Sequence, residues 1–412
     1  MQTNGTSWTI KYALLNIAYF AAFCTIHAYA AVYLLAHGFS NTEVGVLLAI
    51  ANILSSLAQP VIAGLIDKPG PVTNKNFILA SVSIILAGSL LLMLVQANKP
   101  VIFVVFALIY TVQLSYMPVM TALCFEYRKA GCNIFFGLAR GLGSAGFAFT
   151  SVVVGGLVEK NGVFCLLTAT VVMMTISVVI ILTFRKPSVD MINEAVTDND
   201  TDISEKRNTG EKKAHNDLRE FARIYPAFTL FLVSSVCFYF AHNMINDFMI
   251  QIVRELGGAE KELGYSNFLQ AILELPVMAL IGIVLKKISA KNLLLISGTA
   301  FLVKITILIF ANNMMWMYIS QSFQLLAYAV FIPAAAYYVN ETMEELDQVK
   351  GQAFITTSIA VGGVFSNFVS GRILDIFGVR HMLIVGTVIC AVGVIIAFIA
   401  MRLPAYREEY ST

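Results

Sequence analysis

Charge is what this sequence has least of. Asp, Glu, Lys and Arg make up only 13% of its 412 residues, against about a quarter in soluble domains. Hydrophobic residues make up 58%, and mean hydropathy is +0.78. A chain so poor in polar groups cannot cover a water-facing surface, and it reads as an integral membrane protein. Its formal net charge of +2 offers no field for nucleic acid, and no nucleic-acid partner is expected. Six cysteines (Cys24, Cys124, Cys132, Cys165, Cys237 and Cys390) stand in or beside apolar runs without CxxC spacing. That excludes a disulfide framework and a zinc pattern, leaving small buried apolar residues in a reduced protein. The sequence also lacks a nucleophile with its base, a phosphate loop, a metal cluster and an ATP-binding motif. An enzyme is excluded, no cofactor is expected, and any work must be driven by an ion or solute gradient. No cleavable leader is expected, because the apolar run from Tyr12 is long enough to span and no A-x-A-like site follows it.

What the chain does have is long apolar runs. A span needs about 20 mostly apolar residues. Twelve such helices are expected, near 12–36, 42–66, 75–96, 100–124, 133–157, 163–184, 225–251, 262–285, 291–311, 313–339, 350–373 and 379–401. Between the sixth and seventh lies a polar, charged stretch that cannot bury a core. The plan is all-α and transmembrane: a six-helix bundle over 1–184, a linker over 185–224 and a second six-helix bundle over 225–412. Lys and Arg set its orientation. Nineteen of the 27 fall in the termini and even-numbered loops, six in odd loops and helix edges, and two, Arg140 and Lys304, inside helices. That asymmetry predicts a multi-pass protein of the cytoplasmic membrane, with both termini and the linker in the cytoplasm.

The two bundles repeat each other. Pro60-Val61 recurs as Pro276-Val277, Lys75-Asn76 as Lys291-Asn292, and Glu159 with Gly162 as Asp375 with Gly378, all at an offset of 216; Glu43-Val44-Gly45 resembles Glu262-Leu263-Gly264 at 219. Duplicated transporter halves place the substrate near the bilayer midplane, where the repeats meet.

The stretch richest in chemistry is Phe136-Gly137-Leu138-Ala139-Arg140-Gly141-Leu142-Gly143-Ser144-Ala145-Gly146-Phe147. An arginine about two turns inside an apolar helix costs a few kcal/mol unless it faces a cavity or an acid, and so marks a functional site. Arg140, Ser144 and Phe147, spaced i, i+4, i+7, share one face. Gly137 and Gly141 form a small-xxx-small pair expected to seat the helix against a neighbour.

Twelve helices in two repeats, a charged central loop and Asp67-Lys68-Pro69-Gly70 after helix 2 resemble the major facilitator superfamily. Its loop signature is G-x-x-x-D-[RK]-x-G-[RK]; here Ala63 stands at the first glycine and Pro71 at the trailing basic position. Gln59-Pro60, the Gly-Leu-Ala-Arg-Gly-Leu-Gly-Ser-Ala-Gly-Phe-Ala run and Lys291-Asn292-Leu293-Leu294-Leu295 are similar to the lactose permease group of oligosaccharide:proton symporters. The R-x-x-G-S-x-G core also occurs in carriers of aromatic acids.

The resemblance implies that Arg140 hydrogen-bonds sugar hydroxyls and that Phe147 stands where the family stacks an aromatic ring on the sugar. Glu126 is one turn nearer the cytoplasm than the family's sugar-binding glutamate, and pairing with Arg128 or Lys129 competes with a cavity role. Glu274 matches the glutamate that links recognition to protonation, Asp247 a salt-bridged aspartate, and Lys304 the helix-9 arginine. Glu274 and Lys304 both lie roughly 18–20 Å from the cytoplasmic face at ~1.5 Å per residue, so they can pair. With Arg140 and Asp247 these charges sum to zero, as compensating charges should. Helix 10 departs from the family's Lys…His…Glu set, reading Gln321, Gln324 and Ala327, none of which carries a proton. A proton must therefore ride elsewhere, on Glu274 first or Asp247 second. A permanent structural ion pair with facilitated diffusion is the alternative.

His27 and His242 occupy equivalent first helices of the two halves and can line the cavity, although a lone His on an apolar helix is more often a packing residue. Asn243, Asn246, Gln321 and Gln324 suit a polyhydroxylated or amide-bearing ligand. Tyr29, Gln113, Tyr116 and Asn367 are weaker candidates of the same kind. Asp67 and Lys68 are expected to form a cytoplasmic latch, with the acid near a helix N-terminus. Glu341, Glu344, Glu345 and Asp347 are read as a solvated face. The expectation is a monomeric secondary transporter in the lipid bilayer, moving a small polar solute, a sugar or glycoside, by alternating access with proton symport. A carrier or exporter of aromatic or other organic anions, an uncoupled facilitator, and a non-transporting receptor or scaffold are the alternatives.

Overall fold

The computed structural model describes residues 5–68, 70, 72–95, 98–185 and 218–405. Helix α1 runs Gly5–Phe23, passes through a π turn at Cys24–Ala28 and resumes as Ala30–Ala36. It is followed by α2 (Asn41–Ile66), α3 (Asn74–Leu94), α4 (Lys99–Ser115 and Met117–Lys129), α5 (Phe136–Asn161) and α6 (Phe164–Leu182). The second half holds α7 (Pro226–Asp247 and Met249–Glu255), α8 (Glu260–Val284) and α9 (Ala290–Ile309). Helix α10 comprises Met314–Ser322, a 3₁₀ turn at Phe323–Leu325 and Tyr328–Thr342. The last helical stretch, Glu345–Ala400, turns at Gly378, where φ is 79°, and so divides into α11 (345–377) and α12 (379–400). Among the described residues, ten helices are long and apolar enough to cross a membrane. That count takes α11 and α12 together and omits α8, so it is consistent with twelve spans.

Local chemistry places the helix starts. Ser40, Thr73, Asn98, Ser289 and Asn313 each accept a backbone N–H from the first turn that follows, satisfying a donor the helix cannot. Ser40 also donates its own N–H to Glu43 at 2.7 Å, closing a capping box. Most of the expected linker lies outside the described residues. Its last part, Leu218–Ile224, is a short helix whose Phe221 and Ile224 are buried. Asp347 departs from the expected solvated run: it is buried and accepts a hydrogen bond from the Tyr225 hydroxyl at 3.0 Å. An acid there ties α7 to α11 instead of facing water.

The glycines of α5 also correct an expectation. A Cβ added at Gly137 or Gly141 would meet nothing within 4 Å, so this pair seats no helix. The close contact uses Gly143 and Gly146, where a Cβ would lie 2.6 Å from the Phe20 ring and 3.1 Å from Ile17. The packing stripe is rotated from the expected one because the Arg140 face is turned to the cavity.

Among the described residues the halves meet tightly at the end away from the termini. A Cβ at Gly45 would lie 2.1 Å from the Asn367 carbonyl oxygen, and one at Gly371 2.3 Å from that of Asn41; at Gly155 and Gly264 the same atom would lie 2.6 Å from Glu260 O and 2.4 Å from Ser151 O. Thus α2 touches α11, and α5 touches α8, backbone to backbone. At the terminal end, a Cβ at Gly64 or Gly282 would meet nothing within 4 Å. Among the described residues the bundle is sealed at the far end, and Gly64 and Gly282 near the terminal end are open.

Candidate functional site

Four helices are interrupted along their length, and the interruptions fall where the halves face each other. Tyr29 breaks α1, Tyr116 breaks α4, Phe248 breaks α7 and the 3₁₀ turn breaks α10. Helices broken at midplane let side chains and backbone polar groups converge on a cavity. That cavity has a volume of about 580 Å³ and lies between the two halves, within the range of small-molecule sites.

The first-half wall carries the expected Arg140 face. Arg140, Ser144 and Phe147 all line the cavity. The Arg140 guanidinium donates to Ser144 Oγ at 3.0 Å and lies over the Phe20 ring, 4.1 Å from its centroid. Among the described residues no carboxylate comes within salt-bridge distance of it, although Glu274 faces it from the other half. Its remaining N–H donors are available to a ligand. His27 stacks on Phe23 (ring centroids 4.1 Å apart, planes 14° apart) and touches Tyr110 at a tilt (3.8 Å, 48°), and its Nε2 has no partner among the described residues.

The second-half wall is made of amides and acids. Glu274 on α8 accepts from the Gln324 amide at 2.9 Å, and the Gln324 carbonyl accepts from Lys304 Nζ at 2.7 Å. Lys304 is fully buried behind the wall and does not line the cavity. The expected direct pair of Glu274 and Lys304 is therefore a bridged one, with a neutral amide between the charges. The 3₁₀ turn of α10 brings Gln324 into that gap. A second chain runs beside it: Asn246 donates to His242 Nε2 at 2.9 Å, while Gln270 donates to Gln321 at 2.6 Å and to Asn246 at 3.4 Å. His242 also stacks on Tyr328, with centroids 5.2 Å apart. Asn243, Asn246, Asp247, Glu274 and Gln324 face the cavity, whereas Gln321 supports them from a buried position behind.

Several expected site residues lie elsewhere. Tyr29 donates to Ser151 O at 2.8 Å and to Glu260 O at 3.5 Å, so it belongs to the far-end seal. Glu126 accepts from Asn74 at 2.8 Å near the terminal end and does not line the cavity, because it sits a turn too close to that edge. Gln113 is buried against Tyr19, to whose backbone carbonyl it donates at 3.1 Å. Asp67 and Lys68 are exposed, and no partner meets them among the described residues. Asp247 has no cation within salt-bridge distance among the described residues, so the salt bridge implied by the resemblance is absent.

The site also includes residues not expected there from the sequence: Asn52 and Gln59 on α2, Tyr110 on α4, and Asn267 and Gln270 on α8. A signal for them exists. Asn52 and Gln59 are spaced i, i+7, and Asn267, Gln270 and Glu274 are spaced i, i+3, i+7. A polar stripe at helical spacing inside an apolar span marks the cavity face.

The comparisons with known proteins agree with this architecture. Residues 9–397 match the MFS_1 like family. The chain belongs to that family, within the major facilitator superfamily. It is therefore a transporter and not an enzyme. No curated protein sequence matches it. Among solved structures it is similar to the nucleoside transporter NupG (15% identity, 97% of this chain and 99% of that one, TM-score 0.75). It is also similar to an auto-inhibited POT family peptide transporter (10%, 95% and 95%, 0.72). A third is a bacterial homologue of the human lysosomal transporter Spinster, captured inward-facing and unoccupied (13%, 98% and 98%, 0.70). At these identities the likeness is one of fold.

Proposed function

We propose that this protein is a proton symporter that carries a small polar solute, a sugar or glycoside, into the cell by alternating access. The observation that supports this best is the pairing of unlike walls across one cavity. Arg140, with free donors, stands opposite Glu274 and a comb of amides, and aromatic rings flank the guanidinium. A guanidinium and primary amides suit a polyol, and ring faces suit the apolar side of a pyranose. Glu274 is the group we assign to the proton. Protonation weakens its hold on Gln324, whose carbonyl is engaged by Lys304, and so joins proton arrival to a rearrangement of α8, α9 and α10.

In this reading the six-helix bundles, 1–184 and 225–412, rock about the site as one monomer, and the terminal end faces the cytoplasm. The sealed far end then corresponds to an inward-facing state. Asp67 and Lys68, exposed at that end, would latch the cytoplasmic end when it closes.

The test is uptake by purified protein in vesicles under an imposed inward pH gradient, from a mixed pool of sugars, glycosides, nucleosides and aromatic acids read by mass spectrometry. Accumulation of one glycoside, abolished by a protonophore, is the expected result. Equilibration without accumulation would make the protein an uncoupled facilitator, and accumulation of an aromatic acid would make Arg140 an anion clamp.

A further inference from the structure

The second-half wall has a hydrogen-bond polarity, fixed by groups that cannot reverse it. Lys304 can only donate, so Gln324 turns its carbonyl to Lys304 Nζ at 2.7 Å and its nitrogen to Glu274 at 2.9 Å. A backbone carbonyl can only accept, so Asn243 turns its nitrogen to Tyr239 O at 2.9 Å. The Met249 thioether is also an acceptor, and Gln321 Nε2 approaches it at 3.5 Å. Gln321 therefore holds its carbonyl toward Gln270, which donates to it at 2.6 Å and to the Asn246 carbonyl at 3.4 Å. Both hydrogens of the Gln270 amide are used. Asn246 is left with its nitrogen for His242 Nε2, at 2.9 Å, which puts the imidazole proton on Nδ1.

What this leaves toward the cavity is oxygen. Gln270 Oε1 and Asn243 Oδ1 take no hydrogen bond from the protein among the described residues, and both residues line the cavity. Two carboxylates join them. Asn243 and Asp247 are spaced i, i+4 on α7, and Gln270 and Glu274 are spaced i, i+4 on α8, so each helix presents an amide and an acid on one face. The Asn246–Gln270 hydrogen bond draws the two faces together. Glu274 is served by Gln324 and, through it, by Lys304. Asp247 has no cation within salt-bridge distance among the described residues. Arg140, with its remaining donors, stands on the opposite wall.

A hydroxyl both donates and accepts, whereas an ammonium group carries three donors and no acceptor. A wall of open oxygens is matched by the second better than by the first. A carboxylate held in an apolar span without a counter-charge is also costly, and a cationic ligand relieves that cost. We propose that the solute is an amino sugar or an amine-bearing glycoside. Its ammonium group lies on the second-half wall, against Asp247 and the Asn243 and Gln270 carbonyls, and its hydroxyl oxygens accept from Arg140. Glu274 keeps the proton, and Asp247, which the proton step does not use, takes the amine. This rests on the glycoside reading above and narrows it.

The test is calorimetric binding to the purified full chain, at a pH where the amines are protonated. The probes are glucosamine, galactosamine, mannosamine and aminoethyl glucoside, each beside its N-acetyl form and its hydroxyl counterpart, with phenylethylamine as an amine that carries no sugar. At least one amino sugar should bind about tenfold or more tighter than both of its neutral counterparts, the effect of one charge-assisted contact. Asp247→Asn should cut that ratio below about threefold. Gln321→Leu, which frees the Gln270 amide to turn an N–H to the cavity, should lower the ratio by raising the affinity of the neutral forms. That second variant decides the matter if Asp247→Asn does not fold. A neutral form binding as tightly as its amine, a ratio unchanged in both variants, or no amine binding at all would overturn the proposal. Neutral sugars binding alone would uphold the glycoside reading and remove the ammonium site. Phenylethylamine binding alone, and lost in Asp247→Asn, would uphold the ammonium site and remove the glycoside reading.

Discussion

The two walls of the cavity are built on the same scaffold and carry opposite chemistry. The first-half wall sets Phe20, Phe23 and Phe147, with the amides Asn52 and Gln59, around a single cation, Arg140. The second-half wall is amide and acid, with Asn243, Asn246 and Gln270 around Glu274 and Asp247. What the halves share is backbone. Gly45 and Gly264 are related by the offset of 219, Gly155 and Gly371 by 216, and all four close the same seal. The interruptions at Tyr29 and Phe248 are also 219 apart. Duplication has kept the devices that let the halves meet and part. The chemistry of the two walls has diverged.

The largest effect should come from the shared part. A valine at Gly264 or Gly371 puts side-chain atoms where another backbone already lies, and neither carbonyl can yield without parting the helices. Both variants should abolish uptake while leaving the protein folded and the cavity reachable from the far side. Gly141→Val, whose Cβ meets nothing within 4 Å, should transport normally. A Gly264 variant that transported while the Gly371 variant did not would break the equivalence of the two seams.

These seams were legible in part. The repeat offsets already joined Gly45 to Gly264, and Gly378, which turns the chain between α11 and α12 at φ 79°, to Gly162, which ends α5 at φ 82°. Both turns need a residue free of a Cβ. The Gly155…Glu159 and Gly371…Asp375 spacings repeat the G-x-x-x-[D/E] core of the loop signature, and that signal was there to be read. Which glycines of α5 face a neighbour was not legible, because small-xxx-small spacing fits Gly137 with Gly141 and equally describes other faces. The site was readable where a charge or an i, i+4, i+7 set stood in an apolar span, as at Arg140. It was not readable where an amide intervenes. Lys304 and Glu274 lie at matching depths, and only the turn in α10 shows that Gln324 fills the gap between them.

The next effects separate the walls. Arg140→Ala removes charge-assisted donors worth about 1.5–3 kcal/mol, so affinity for the transported solute should fall roughly 10- to 150-fold at 1.4 kcal/mol per decade. Binding measured by calorimetry checks this, and unchanged affinity would remove Arg140 from the site. Glu274→Gln should act differently. It should abolish accumulation under a pH gradient yet leave exchange of solute across the membrane within a few-fold of normal, because the amide keeps the shape and one acceptor. If Arg140→Ala spared binding and Glu274→Gln destroyed it, recognition would reside in the second half alone.

The smallest effects should come from the two histidines, and they test whether each wall treats an equivalent position alike. His27 stacks on Phe23 and meets Tyr110 at a tilt of 48°, with no hydrogen bond to its Nε2 among the described residues. His27→Phe preserves the stack and should change solute affinity less than about threefold, under 0.7 kcal/mol. His242 accepts the Asn246 amide and so anchors the chain that reaches Gln270 and Gln321. His242→Phe leaves that amide N–H without its acceptor in a half-buried position, which costs about 1–2 kcal/mol, or roughly 5- to 30-fold in affinity. Equal losses at the two positions would mean that His27 touches the solute directly. In that case the first-half wall contributes a hydrogen-bonding group as well as its ring faces and Arg140.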